Sequence, residues 1–308
     1  MDNSTIKELI KNVESVIIGK TETVKLLIVG LLTNGHVLVE DVPGLGKTTL
    51  ALALAKSING DFKRIQFTPD LLPTDVSGGF VYNTKTMEFD LRKGPVFTNI
   101  LLADEINRTT PRTQSALLES MQEFKVTLDG KTFALPQPFM VIATQNPIEY
   151  QGTYPLPEAQ VDRFLMRIDI GYLSETEEVK VISGQKIKHP IEDLKPVMNL
   201  DAIIKLQEVI KNVDISPNVL SYIVKLVSST RKRDDLKLGA SPRASIALMK
   251  AASAWAFLDG RDYVVPDDVL KLLPWVLKHR IMLQAKALIA GKTPDFIILD
   301  LAKNIPIP

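Results

Sequence analysis

Short apolar runs punctuate the first half of the chain: HVLVE at 36–40, RIQF at 64–67, NILLADE at 99–105, PFMVIATQN at 138–146 and FLMRIDI at 164–170. The third and fourth show no polar alternation, which predicts strands covered on both faces of a parallel sheet. Helical patterns lie between several of them. Residues 21–32 suit a mostly buried helix closed by Asn34-Gly35, and TTLALALAKSING suits a second helix that stops at Asn59-Gly60. Strands alternating with helices predict an α/β domain with a mainly parallel sheet. Two segments break the rhythm. Residues 78–97 read as a hairpin-bearing excursion, and EFKVTLDGKTFALP carries Asp129-Gly130 between alternating runs, a two-residue hairpin signal.

Strand character fades after Gly171. A charged helical stretch leads to KHPIEDLKP, read as a linker, and everything beyond it is helical in period. Leu200, Ile203, Leu206 and Ile210 keep helix spacing, as do Val219, Tyr222, Ile223 and Leu226. In VPDDVLKLLPWVLKHRI, Pro266 suits a first helical turn and Pro274 is expected to kink or break the helix. The chain therefore divides into an α/β domain over 1–190 and a smaller all-α domain over 191–308.

Composition narrows the function classes. A formal net charge of +1 gives no global attraction to nucleic acid or anionic lipid, and the basic cluster Arg231–Arg233 is followed at once by Asp234 and Asp235, as at a solvated helix end. Cysteine is absent, which removes disulfides and thiolate metal sites and suits the cytoplasm. The apolar run VKLLIVGLLTNG is too short to span a bilayer, and the first twenty residues lack the pattern of a secretory signal. His36, His189 and His279 are scattered and form no ligand cluster.

Chemistry enters at EDVPGLGKTT, residues 40–49, which follows a strand and opens a helix. The run is nearly the phosphate loop G-x-x-x-x-G-K-[ST]. Gly44 and Gly46 would let backbone N–H groups of Val42, Pro43-Gly44, Leu45 and their neighbours approach phosphate oxygens; Pro43 itself has none to give. Lys47 would neutralise phosphate charge, the Thr48 hydroxyl would ligate Mg²⁺, and Thr49 continues the first turn. Asp41 stands where the pattern has its first glycine. It is expected to substitute sterically, because Asp tolerates φ > 0, while bringing a negative charge toward an anion site. The second element is ILLADEINR, an acidic pair at the end of a buried strand. In a phosphate-loop enzyme Asp104 would hold Mg²⁺ and Glu105 would orient or deprotonate the attacking water.

The loop, LLADEINR, VIATQNPIEYQGTYPLPEAQVDRF and GASPRA, in this order, resemble the MoxR family of AAA+ ATPases over nearly the whole chain. The resemblance implies a parallel-sheet AAA+ core with β-hairpin inserts (one in the helix-2 position, one before the sensor strand) and a smaller all-α lid. Carried over by position, Asn146 is similar to the sensor-1 residue, Arg163 in VDRF to the arginine finger, and Arg243 in SPRA to sensor 2, which would reach the γ-phosphate from the helical domain. Ile17, Ile18 and Gly19 match the stretch that contacts adenine. The resemblance further implies ATP and Mg²⁺ as cofactors, a hexameric ring of identical subunits, and chaperone-like remodelling of protein partners, often partners bearing a von Willebrand factor A domain. Two other readings stay open. A DNA-translocating motor of the same clade could use Lys125 and Lys131 on the hairpin, against near-neutral charge and Asp129 beside them. A nucleotide-gated scaffold with negligible turnover is the other, and an intact Glu105 speaks against it.

Overall fold

In the computed structural model, which describes residues 4–146, 152–184 and 188–308, the five runs pair into one parallel sheet. Helices α1 (Ser4–Glu14) and α2 (Thr21–Leu32) precede β1 (Val37–Glu40); α3 (Lys47–Ser57) leads to β2 (Phe62–Gln66). Helix α4 (Pro73–Ser77) introduces the hairpin β3 (Gly78–Asn83) and β4 (Glu88–Lys93), and β5 (Ile100–Asp104) follows. Helix α5 (Pro111–Glu123) carries the second hairpin, β6 (Lys125–Leu128) and β7 (Lys131–Ala134), before β8 (Met140–Gln145), α6 (Glu158–Val161) and β9 (Met166–Ile168). The sheet order is β2-β5-β8-β1-β9, all neighbours parallel. The chain thus starts mid-sheet, moves out to β2 and returns through β5 and β8. Consequently the C-terminal ends of β5, β8 and β1 lie side by side.

Both hairpins form where expected. Asp129 and Gly130 each have positive φ, 46° and 77°, as a two-residue turn matched to strand twist requires. The sheet is buried on both faces: Ile100, Leu102 and Ile142 belong to one apolar cluster, Leu101, Ala103 and Val141 to the other.

The C-terminal part comprises α7 (Glu175–Gly184), α8 (Leu200–Ile210), α9 (Pro217–Ser229), α10 (Pro242–Leu258), α11 (Pro266–Leu277), α12 (Ala285–Ile289) and α13 (Pro294–Lys303). It also holds a short antiparallel ribbon, β10 (Leu236–Leu238) with β11 (Met282–Leu283), which a purely helical reading of these residues omits. Helix α11 runs through Pro274 to Leu277 rather than breaking there. A proline this close to a helix end removes one N–H, and the helix keeps only one further turn. KHPIEDLKP is no loose linker: Lys56 donates to the Ile191 carbonyl at 2.8 Å, and Ile191 and Leu194 pack on the core. Helices α8 and α10 pack on α2, so the sheet's first apolar cluster continues without a break into the helices. Arg231–Arg233 is structural: Arg231 donates to the Ala240 carbonyl, and Arg233 pairs with Asp235 and Asp300. Among the described residues no helix is long and apolar enough to cross a membrane.

Candidate nucleotide site

The loop after β1 turns on Gly44 and Gly46, at φ 87° and 82°. No atom lies within 4 Å of where a Cβ would stand on either, so that side of the loop is open. Gly46 is the residue before α3, and no side chain caps the helix. Its first amides therefore remain available to an anion. Lys47 donates to the main-chain oxygen of Asp41 at 2.7 Å. Partial burial pushes its ammonium below the ordinary lysine value, against the opposing pull of Asp104, Asp41 and Glu105. A phosphate would restore to that ammonium the counter-charge and hydrogen bonds that burial removes.

Asp41 corrects the sequence expectation. It is not among the residues with positive φ, so it does not replace glycine sterically. Its carboxylate turns away from the anion-binding side and accepts the amides of Ile170 and Gly171, both at 2.7 Å, and of Val42 at 2.9 Å.

Because β5 and β8 are adjacent, the acidic pair meets the end of β8. The Thr144 hydroxyl donates to Asp104 Oδ1 at 2.6 Å and accepts the Glu105 amide at 2.8 Å. Glu105 is held in the left-handed region, φ 56°, ψ 49°, a conformation that costs a non-glycine residue about 1–2 kcal/mol. From β2, Arg64 donates to Asp104 Oδ2 through Nη2 at 2.6 Å and Nε at 3.1 Å, and Gln66 Nε2 donates to Glu105 Oε2 at 2.7 Å. Arg108 donates to the same Glu105 oxygen at 3.0 Å. Asn146, the residue after β8, is buried beside this group.

Residues 36–166 match the model of the ATPase family associated with various cellular activities (AAA), and residues 228–301 match the AAA lid domain. YeaC of Bacillus subtilis (strain 168) is 53% identical over 97% of this chain and 93% of its own. Chaperone MoxR1 of Mycobacterium tuberculosis (strain ATCC 25618 / H37Rv) is 44% identical over 99% of this chain and 82% of its own. The chain belongs to the MoxR family of AAA+ ATPases. A solved structure of a candidate ATPase from Cytophaga hutchinsonii ATCC 33406 superposes with a TM-score of 0.92 at 41% identity, covering 99% of this chain and 96% of that one. Membership in an AAA+ family implies that a nucleotide binds.

In this MoxR-family chain the two arginines stand apart from the loop. Arg163 donates through Nη1 to the Leu118 carbonyl of α5 at 3.0 Å, and its buried Nε has no partner. Arg243, half exposed, approaches Asp162 at 3.9 Å; Ser241 and Arg280 bind the same carboxylate. Among the described residues no ion pair or hydrogen bond joins either arginine to Lys47, Asp104 or Glu105. Arg243 is therefore brought next to the residue preceding Arg163. Ile17 and Ile18 are half-buried, and Gly19, at φ 74°, lies against the Glu177 carboxylate. Residues 147–151 of the long family motif lie outside the described residues.

Thr48 and Asp104 supply hard oxygen donors on neighbouring elements, and no group of three or more His, Cys, Asp or Glu among the described residues could hold a metal ion. That set suits an ion held by one carboxylate, a hydroxyl and the nucleotide's own phosphates, which is how Mg²⁺ is usually bound. A cavity of about 800 Å³ opens in the seam between the strand ends, α6 and the helical part, lined by Gln145, Glu158, Asp162, Arg167, Ser241 and Lys278 among others. No residue of the loop 41–48 lines it. Sequence reasoning missed Arg64, Gln66 and Thr144. Arg64 and Gln66 flank Ile65 with the two-residue spacing of one strand face, a polar pair on an interior-looking run, and that signal was readable.

Proposed function

We propose that this protein binds ATP with Mg²⁺ and hydrolyses it to drive chaperone-like remodelling of protein partners. The carrying observation is the sheet order, which sets the open glycine loop with Lys47, the clamped pair Asp104–Glu105 and buried Asn146 on three adjacent strand ends. In this reading Val42, Pro43, Gly44, Leu45, Gly46, Lys47, Thr48 and Thr49 surround the phosphates, and Ile18 and Gly19 face the base. Thr48 and Asp104 would hold Mg²⁺, which supplies charge neutralisation at the phosphates. Glu105 takes the proton of the attacking water and Asn146 positions that water.

Arg163 serves a neighbouring subunit's nucleotide, and Arg243 reaches the γ-phosphate from the helical domain. The assembly is a ring, hexameric by family resemblance, of a core over 1–190 and a lid over 191–308. The partner carries a von Willebrand factor A domain, and the setting is the cytoplasm. The hairpin β3–β4 supports a protein-facing role, since Val81, Tyr82, Met87 and Phe89 are exposed on it.

The test is the pair Glu105→Gln and Lys47→Ala. Glu105→Gln should bind ATP, lose turnover and accumulate an ATP-dependent oligomer in light scattering; wild-type turnover would sink the reading. Lys47→Ala should lose ATP binding. Mixing Arg163→Ala with Lys47→Ala subunits should restore part of the lost activity, and no recovery would count against action in trans.

A further inference from the structure

Asp41 touches the phosphate-loop lysine, the end of β8 and the chain that leaves β9. Its amide donates to the Gln145 carbonyl at 3.3 Å, the residue before Asn146. Its carbonyl accepts Lys47 Nζ. Its carboxylate accepts Val42, Ile170 and Gly171. Any residue could supply the amide and the carbonyl; only the carboxylate requires an acidic side chain.

Ile170 and Gly171, the latter at φ 68°, offer two successive amides to one oxygen. Successive backbone N–H groups of this kind form a concavity that binds anions. The Asp41 carboxylate thus finds its hydrogen bonds in the chain that leaves the sheet after β9, while its charge still acts on Lys47. The same exit segment is gripped a second time: Lys20 donates to the Tyr172 carbonyl at 2.8 Å, and Glu177 lies against Gly19. Residues 170–177 therefore hang from both ends of the proposed nucleotide site, and they lead directly into α7, a helix with no buried residue, on the way to the lid.

We propose that Asp41 is a positioning residue that couples occupancy of the phosphate loop to the exit segment 170–174. Lys47 Nζ holds the Asp41 carbonyl. A phosphate group draws that ammonium away, the peptide of Asp41 is released on one side, and the carboxylate carries the shift to Ile170 and Gly171. The inference rests on the ATPase reading for the phosphate; the carboxylate clasp stands on geometry alone.

Hydrogen exchange of the full chain over 168–184, with and without a non-hydrolysable ATP analogue, tests it in wild type, Asp41→Gly and Asp41→Asn, alongside calorimetric binding of the analogue and steady-state kinetics. In wild type the analogue should alter exchange across 168–184. Asp41→Gly restores the glycine of the usual loop and should still bind the analogue. Its Ile170 and Gly171 amides should exchange roughly tenfold or more faster, equally with and without analogue, because a charge-assisted bond is gone. Its kcat should fall with little change in KM. Asp41→Asn, which keeps one oxygen acceptor, should lie between, and it serves if the glycine variant fails to fold. An analogue response at 168–184 undiminished in both variants would overturn the coupling. So would wild type that binds the analogue with no response there. Wild type that binds no analogue would overturn the ATPase reading and the coupling together.

Discussion

Replacing Thr144 by valine removes one hydroxyl and keeps the shape of a residue that is fully buried. Among the described residues that hydroxyl is the acceptor for the Glu105 amide, and it also donates to Asp104 Oδ1. A buried N–H left without an acceptor costs about 1–3 kcal/mol. The added methyl returns about 0.8 kcal/mol by burial. The net expectation is a loss of up to about 2 kcal/mol, read as a lower urea midpoint at unchanged m. The larger effect should be on turnover, because the hydrogen bond that is lost helps hold Glu105 at φ 56°. Released from it, the turn relaxes toward ordinary backbone and the carboxylate leaves its place. Misplacement of a catalytic group by about 1 Å costs on the order of 100-fold, so kcat should fall by roughly 10–100-fold with analogue binding retained. Thr144→Ser keeps the hydroxyl and should retain most of the activity despite losing a buried methyl. If Thr144→Val matches wild type in both urea midpoint and kcat, the hydroxyl does not set the acidic pair and the reasoning is wrong.

Arg280 is buried and donates to Asp162, Leu165, Val276 and Phe164, so Arg280→Met should leave Asp162 short of its counter-charge and destabilise the chain by about 3–5 kcal/mol in urea unfolding. A loss under about 1 kcal/mol would refute that accounting. Burial holds His36 neutral, its pKa lowered to about 4, with Nδ1 accepting the Val141 amide. A base whose folded pKa is depressed gives stability that is whole above about pH 6.5 and drains as pH falls toward about 4; the total is on the order of 3 kcal/mol. His279, shifted the same way by burial, adds to it, and a urea midpoint flat between those pH values would contradict the assignment. Gly78→Ala would set a Cβ 2.2 Å from the Arg92 carbonyl at φ 87° and should unseat the β3–β4 hairpin. Proteolysis within 78–93 should quicken while exchange of the central strands stays slow; an unaltered cleavage rate would speak against it.

The fold was readable where one physical signal governed each element. Uninterrupted apolar runs mark strands that have helices on both faces, and NILLADE and PFMVIATQN became the central strands for that reason. Asp129-Gly130 was readable because a two-residue hairpin demands positive φ twice in succession. What the sequence could not show was the continuity of the apolar core from α2 into α8 and α10, since periodicity reports that a face is buried and not what buries it. The ribbon β10–β11 was invisible for a related reason: its strands are three and two residues long, too short to carry a period.

The site divides along the same line. Lys47, Thr48, Asp104 and Glu105 sit in contiguous motifs, so spacing alone proposes them, whereas Thr144, Arg64 and Gln66 reach the acidic pair across strand pairs that only the register of β2, β5 and β8 creates. Asp41 is the instructive case, because the sequence supplied its identity and misled about its purpose. A backbone rule about φ cannot see amide donors 129 and 130 residues away in the chain, yet the two 2.7 Å bonds from Ile170 and Gly171 are what an acidic side chain accepts there. The carboxylate that counted against an anion site is solvated by the backbone amides of Val42, Ile170 and Gly171, and its charge is felt at Lys47. A departure from a phosphate-binding motif can thus mark a second task at that position, and here the second task lies between the loop and the chain's exit toward the lid.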